Sequence, residues 1–322
     1  MDLEQLKAAA NSGNARAQNE LGILYHNGKV VPQDMVQAAY WYQKSAEHGL
    51  AYPQYNLGLM YREGFGVDQD YEKAFEWFTK AAQQGLANAQ YDLALMHEFG
   101  HGTPQDDAQA VSWLMLAAEQ NMPEAQNHIG VRYSEGRGLP KDPAVAVVWM
   151  RKAADQGLAD AQHNVALACI EGTGIEQQDQ KAALWTKKAA QQGHEGAIYN
   201  LGQMYLNGRG VPKNTPKAME NFLFLAEKGN AQSQYNLGVL YSQSDEVRDD
   251  QQAIAWYKKA ATQGHTDSLA NLALMYIKGQ GVAQNYSTAT EYLSRAAAQG
   301  HAGAKHNLKR LVEVVQEQGN LH

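Results

Sequence analysis

Residues 51–85 read AYPQYNLGLMYREGFGVDQDYEKAFEWFTKAAQQG, and this stretch decides the fold. Its first part places Ala51, Gln54, Leu57, Gly58 and Tyr61 at i, i+3, i+6, i+7 and i+10, the stripe of an amphipathic helix. Gly64-Phe65-Gly66 follows, with glycines suited to the left-handed backbone that ends a helix. The second part puts Ala74, Trp77 or Phe78, Ala81 and Ala82 on one face, and Gly85 terminates it. So short a connection implies an antiparallel pair, helix A and helix B.

The unit recurs. Gly22, Gly58, Ala94, Gly130, Ala166, Gly202, Gly238 and Ala273 are spaced by 36 residues six times and then by 35. A second register, Ala38, Ala74, Ala110, Ala146, Ala182, Ala218, Ala253 and Ala289, keeps the same steps. Two locked registers imply eight copies of a helix-turn-helix unit, an all-α solenoid. Residues 2–13 match the second half of a helix B, with Ala9, Ala10 and Gly13 in the positions of Ala81, Ala82 and Gly85. Residues 301–318 begin as a ninth helix A (Ala304, Leu308, Leu311) and lack the glycine loop. The expected organisation is one solenoid over 1–322: a half-repeat cap 1–13, eight repeats 14–300 and a capping helix 301–322.

Small residues such as Gly58 and Ala81 are expected where helices cross. Trp41, Trp77, Trp113, Trp149, Trp185 and Trp256 are expected to fill the space between layers. Lys44, Lys80, Lys152, Lys188, Lys259 and Arg295 recur in the last turns of helix B, where a cation complements the helix dipole.

Composition excludes several classes. Net charge is −7, so the Lys/Arg surface that neutralises phosphates is lacking and no nucleic-acid partner is expected. No run of about 18 apolar residues exists, so no membrane insertion is expected. MDLEQLKAAANSGNARAQ has no signal-peptide core, which predicts a cytoplasmic protein, or a periplasmic or secreted one if a leader has been replaced by Met. Cys169 is the only cysteine, so no intramolecular disulfide or thiolate metal cluster can form.

The strings AYPQYNLGLMYREGFGV, EGAIYNLGQMYLNGRGVPKN and WYKKAATQG resemble the Sel1-like repeat family, relatives of the tetratricopeptide repeat, over residues 1–308. The resemblance implies a right-handed superhelix with helix A on the concave face and helix B outside, and a role as adaptor or scaffold in protein complexes. A cysteine-rich subgroup is linked to β-lactam binding or hydrolysis, and this chain departs from its paired cysteines completely.

His97-Glu98-Phe99-Gly100-His101 is a formal H-E-x-x-H zinc-protease string. The repeat register opposes that reading, because Gly100 and Gly102 are the helix-ending pair and leave His101 in the loop. Gly-X-Gly strings such as Gly208/Gly210 lack the preceding strand and the third glycine of a dinucleotide site. Cys169 takes the Tyr61 slot and reads as a buried small hydrophobe. No catalytic residue, metal or cofactor is expected.

The positions expected to face the groove form columns. Two residues before the helix A leucine stand Tyr55, Tyr91, Asn127, His163, Tyr199 and Tyr235; five after it stand Arg62 and Glu98, and then Phe99. Aromatic rings with polar tips anchor peptides, although the same tyrosines can pack against the next helix A. The expectation is a non-enzymatic scaffold that binds a protein or peptide along helix A, as a monomer rather than an oligomer. The rivals are a zinc- or serine-dependent hydrolase, β-lactamase-like, and a self-assembling structural protein. Two departures stand out. The repeat 7 loop, SQSDEVRDDQQ, loses both glycines and one residue, and is either degenerate or a contact site. In repeat 6 Asn221 replaces the tryptophan and is followed by Phe222, Leu223, Phe224 and Leu225, so either the packing shifts by one residue or an apolar patch is exposed.

Overall fold

A computed structural model describes residues 2–319. Its regular elements, among the described residues, are eighteen α-helices and no strands, an α-solenoid. They fall into two compact units, Met1–Gln177 and Gln178–His322. The first holds α1 (Leu3–Asn11), α2 (Ala15–Asn27), α3 (Met35–Glu47), α4 (Ala51–Glu63), α5 (Tyr71–Gln83), α6 (Ala87–Phe99), α7 (Asp107–Glu119), α8 (Pro123–Glu135), α9 (Pro143–Asp155) and α10 (Ala159–Glu171). The second holds α11 (Asp179–Gln191), α12 (Glu195–Asn207), α13 (Thr215–Glu227), α14 (Ala231–Gln243), α15 (Asp250–Thr262), α16 (Thr266–Lys278), α17 (Tyr286–Ala298) and α18 (Ala302–Gly319). Even-numbered helices are of type A and odd-numbered ones of type B. Within each unit every helix packs on its neighbours in sequence.

At four places the small column on helix A makes room for a ring of its own helix B, while at Gly130 it meets crossing backbone as expected, the Ala146 carbonyl lying 2.9 Å from a Cβ placed there. A Cβ on Gly58 would lie 2.6 Å from Phe78 Cδ1. Tyr42, Phe222 and Tyr257 stand in the same way against Gly22, Gly202 and Gly238. Two alanines of the column go with a leucine instead of a ring: Ala94 shares a core cluster with Leu114, and Ala273 with Leu293. The two columns are matched in volume, as close packing requires.

The tryptophans sit one residue to the side. Trp77 packs on the cluster containing Ala39, Tyr42, Ala46 and Leu57, so it bridges α5 to the preceding helix B as well as to α4. The lysine column covers these rings: Lys80, Lys152, Lys188 and Lys259 place Nζ 3.8–4.2 Å from the centroids of Trp77, Trp149, Trp185 and Trp256. The cation therefore meets a ring face as well as a helix end.

A polar ladder that the periodicity did not announce runs beside this core. Gln54, Gln90 and Gln126 are buried, and each donates through Nε2 to the carbonyl of the residue eight positions earlier, Ala46, Ala82 or Ala118. Each in turn accepts from a second glutamine thirty residues on, Gln84, Gln120 or Gln156, at 2.7–2.8 Å. Every rung adds a second donor to a carbonyl at the C-terminal end of a helix B, beside the backbone N–H of Gly49, Gly85 or Asn121.

Helix B starts are equally regular. Asp34, Asp70, Asp106, Asp142, Asn214, Asp249 and Asn285 each cap their helix through the side chain, a contribution of about 1 kcal/mol apiece. The backbone N–H of the cap also closes the loop, as Asp70 does on the Tyr61 carbonyl at 2.9 Å. Gly66 shows why the second loop glycine recurs: at φ +69° it lies on the start of α3, and a Cβ there would overlap the Met35 carbonyl.

The two departures resolve. In repeat 7, Ser244 is extended where a left-handed glycine stands elsewhere, and Asp249 N–H still reaches the Tyr241 carbonyl at 2.8 Å across a loop one residue shorter. Asp249 caps α15 and Asp250 accepts from Gln280 at 2.8 Å, so half of the acidic run is structural. In repeat 6 the packing does not shift. Phe222 fills the ring slot, fully buried, and leaves Leu223 and Phe224 exposed.

Candidate functional site

The expected groove residues lie along the type A helices, and in each unit they form rungs between one helix A and the next. In the first unit the Tyr55 hydroxyl donates to Asp92 Oδ2 at 2.9 Å, and Arg62 Nη1 meets Asp92 Oδ1 at 2.8 Å. Burial pushes the Tyr55 phenol well above its ordinary value, and the Asp92 carboxylate adds to the rise. Tyr91 stands edge-on to His128 at 6.1 Å between centroids. Asn127 accepts from Asn164 at 3.0 Å. His163, in the same column, is partly buried.

Glu98 is placed differently from its neighbours in sequence. It is 4% exposed and contacts Arg132 and His128 at 2.9 Å and Arg137 at 3.2 Å. Arg132, itself fully buried, turns its other nitrogen to Asp107 at 2.6 Å. The carboxylate expected to face the groove is instead the centre of a buried ionic cluster. A charge there is stable only with such partners. Burial lowers the His128 pKa, against the pull of Glu98. Phe99, by contrast, is 61% exposed.

The H-E-x-x-H string does not span one helix face. Helix α6 ends at Phe99, Gly100 turns left-handed, and exposed His101 stacks on Tyr71 at 4.9 Å. His97 meets Phe75 edge-on at 5.3 Å.

In the second unit Tyr199 receives hydrogen bonds at its hydroxyl from Asn236 at 3.3 Å and Gln203 at 3.2 Å. Tyr235 stacks on His265 at 4.7 Å and meets Tyr257 at 6.0 Å. The Tyr257 hydroxyl contacts Ser242 and Asn271. Ser242 belongs to the Arg62 column, so both columns converge on one surface in this unit too.

What sequence reasoning missed is the answering half of each rung. Asp92, His128, Asn164, Asn236 and Asn271 occupy the position just before the helix A leucine. That column is polar in every repeat, a regularity that an amphipathic helix alone does not explain.

A family model for the Sel1 repeat matches eight segments: 15–50, 54–86, 87–122, 123–158, 159–194, 196–230, 231–265 and 266–301. The chain is a Sel1 repeat protein. Its helices superpose on c5321, a protective antigen of uropathogenic Escherichia coli with this fold, at TM-score 0.90 and 39% identity, over 96% of this chain. The chain spans 66% of the length of that antigen. A Sel1 repeat protein from Oxalobacter formigenes matches at TM-score 0.71 and 33% identity, over 96% of this chain and 90% of its own. No functionally curated protein matches. Sel1 repeat proteins in general mediate protein–protein interactions and act as non-enzymatic scaffolds. Among the described residues of this one, no helix is long and apolar enough to cross a membrane.

Proposed function

We propose that this Sel1 repeat protein is a non-catalytic scaffold, a monomer, whose type A helices hold an extended segment of a partner protein. The observation that carries the reading is the row of inter-helix rungs. Tyr55–Asp92, Asn127–Asn164 and Tyr199–Asn236 fix polar and aromatic groups in place before any partner arrives. Pre-ordered side chains lose little entropy on binding, which favours recognition. Phe99 offers an exposed ring beside them, and an apolar anchor of this kind suits a hot spot. The net charge of −7 favours a protein partner over a nucleic acid.

The test compares partner recovery from extracts of the native host. The baits are the unmodified chain, a Phe99→Ser/Asn127→Arg variant, and a Glu76→Arg control on helix B. The expected result is one partner retained by the control and reduced about tenfold or more by the helix A variant, with melting unchanged. Equal recovery by all three baits, or equal loss from both variants, sinks the reading.

A further inference from the structure

Repeat 6 contains an empty socket. Its cavity of about 560 Å³ lies between α11, α12 and α13, with Ala190 on one wall and Ile198, Leu201 and Tyr205 along the floor. Its place in the repeat defines it. Shifted back by four repeats, those residues become Ala46, Gln54, Leu57 and Tyr61, and Asn221 becomes Trp77. Ala46 and Leu57 belong to the cluster on which Trp77 packs. The cavity is thus the space that a tryptophan fills in six sister repeats.

Nothing in repeat 6 refills it. Asn221 folds back and donates to the Lys217 carbonyl of its own helix at 2.7 Å. Two further changes remake the walls. Ile198 stands where the buried ladder glutamine stands in repeats 1 to 5 and 7, so the floor is more apolar. Phe224 replaces the lysine that covers the tryptophan in repeats 2, 4, 5 and 7, so the rim gains a ring. An apolar hollow of this volume with few polar groups at its edge is the usual form of a small-ligand site.

The polar groups at the edge have a sign. Lys187 and Lys217 carry their ammonium groups 5.9 and 5.4 Å from the Tyr205 ring centroid. In repeat 2 the counterpart of Lys217 is Lys73, held by Asp70 at 3.0 Å; in repeat 6 that aspartate is Asn214, uncharged. Lys187 replaces Gln43. Among the described residues neither lysine is in an ion pair, and Glu220 is the one carboxylate lining the cavity.

We propose that repeat 6 binds a planar aromatic carboxylate, its ring in the vacated tryptophan socket between Phe224 and the Ile198–Leu201 floor, its carboxylate against Lys187 and Lys217. The ring recovers the packing lost at Asn221, and the charge pairs with cations that have no carboxylate partner of their own. A free aromatic acid and the C-terminal tryptophan of a polypeptide share this chemistry.

The experiment titrates the full chain with indole-3-propionate and with its neutral amide, reading the Ile198 methyl resonance. Saturable binding is expected, with the acid about three- to tenfold tighter than the amide at low salt. Lys187→Gln/Lys217→Gln should erase that preference, and Asn221→Trp should abolish binding and raise the melting temperature. Ile198→Gln, read on the Leu201 methyls of the same floor, restores the residue of repeats 1 to 5 and 7, should weaken binding, and serves if the tryptophan variant folds poorly. A hexapeptide ending in a free tryptophan carboxylate separates the sources: binding tenfold tighter than the acid assigns the site to a chain end, and equal or weaker binding to a free acid. The proposal fails if acid and amide bind alike, if neither perturbs Ile198, or if both socket variants bind the acid as the unmodified chain does.

Discussion

Gly58 and Phe78 divide one space between them: the ring lies where a Cβ on the glycine would come within 2.6 Å of Cδ1. The same volume is divided as alanine and leucine between Ala94 and Leu114. Gly58→Ala sets two effects against each other. A helix interior gains roughly 0.5–1 kcal/mol from alanine, and overpacking a core costs roughly 1–3 kcal/mol, so net destabilisation is expected. Adding Phe78→Leu should recover part of it, with a coupling of about 1 kcal/mol in a urea double-mutant cycle. Additive effects would show that the two columns are not matched.

The glutamine ladder makes a second prediction. Gln54→Ala removes the donor to the Ala46 carbonyl and the acceptor for Gln84. The carbonyl keeps the Gly49 N–H at 2.9 Å, so the loss is that of one buried hydrogen bond, about 0.5–1.5 kcal/mol, to which a small cavity is added. Gln54→Leu should cost less, because Leu269 occupies this slot in repeat 8. Chemical denaturation of both variants gives the order directly.

Glu98 offers the sharpest contrast between groove and core. Glu98→Ala leaves Arg132 buried with Asp107 as its remaining carboxylate, and a loss of about 3 kcal/mol is expected. A surface groove residue would change stability by roughly 0.5 kcal/mol or less.

The histidines set the response to acid. Burial lowers the pKa of His128, and of His97 and His265 as well. Below the ordinary histidine value the unfolded chain takes up protons that the folded chain still resists, so stability falls as pH drops through that value. Melting temperatures should decline between about pH 7.5 and pH 5.5. His128→Asn, the residue found at this position in repeats 5, 6 and 7, should flatten the decline. A steeper decline in the variant would contradict burial as the dominant cause.

The repeat, its helix boundaries and the helix-ending glycines were legible because period and small residues report backbone geometry. The rungs were half legible. Tyr55, Asn127 and Tyr199 stood out as a column, yet Asp92, Asn164 and Asn236 did not, because a hydrogen bond between residues 37 apart has no local signature. Glu98 misled for a related reason. Its burial depends on Arg132 from the next repeat, and one strand of sequence does not show that an arginine will turn inward. Asn221 stands out in the sequence as a departure, but whether losing a tryptophan leaves a hollow or a shifted helix is decided by Phe222 keeping its place against Gly202.

The second loop glycine gives the array a direction. Gly66, Gly102, Gly138 and Gly174 in the first unit each press on the opening residue of the helix B one repeat earlier, as do Gly210 and Gly281 in the second. Six helices B, α3, α5, α7, α9, α11 and α15, are thus latched by the repeat that follows them. Unravelling from the C-terminal side of a unit releases a latch with every repeat lost, whereas loss from the N-terminal side strips a loop of its seat and leaves every later helix start covered. Repeat 7, with no such glycine, leaves α13 without this latch, the one break among the described residues of the second unit at which peeling can pause or begin.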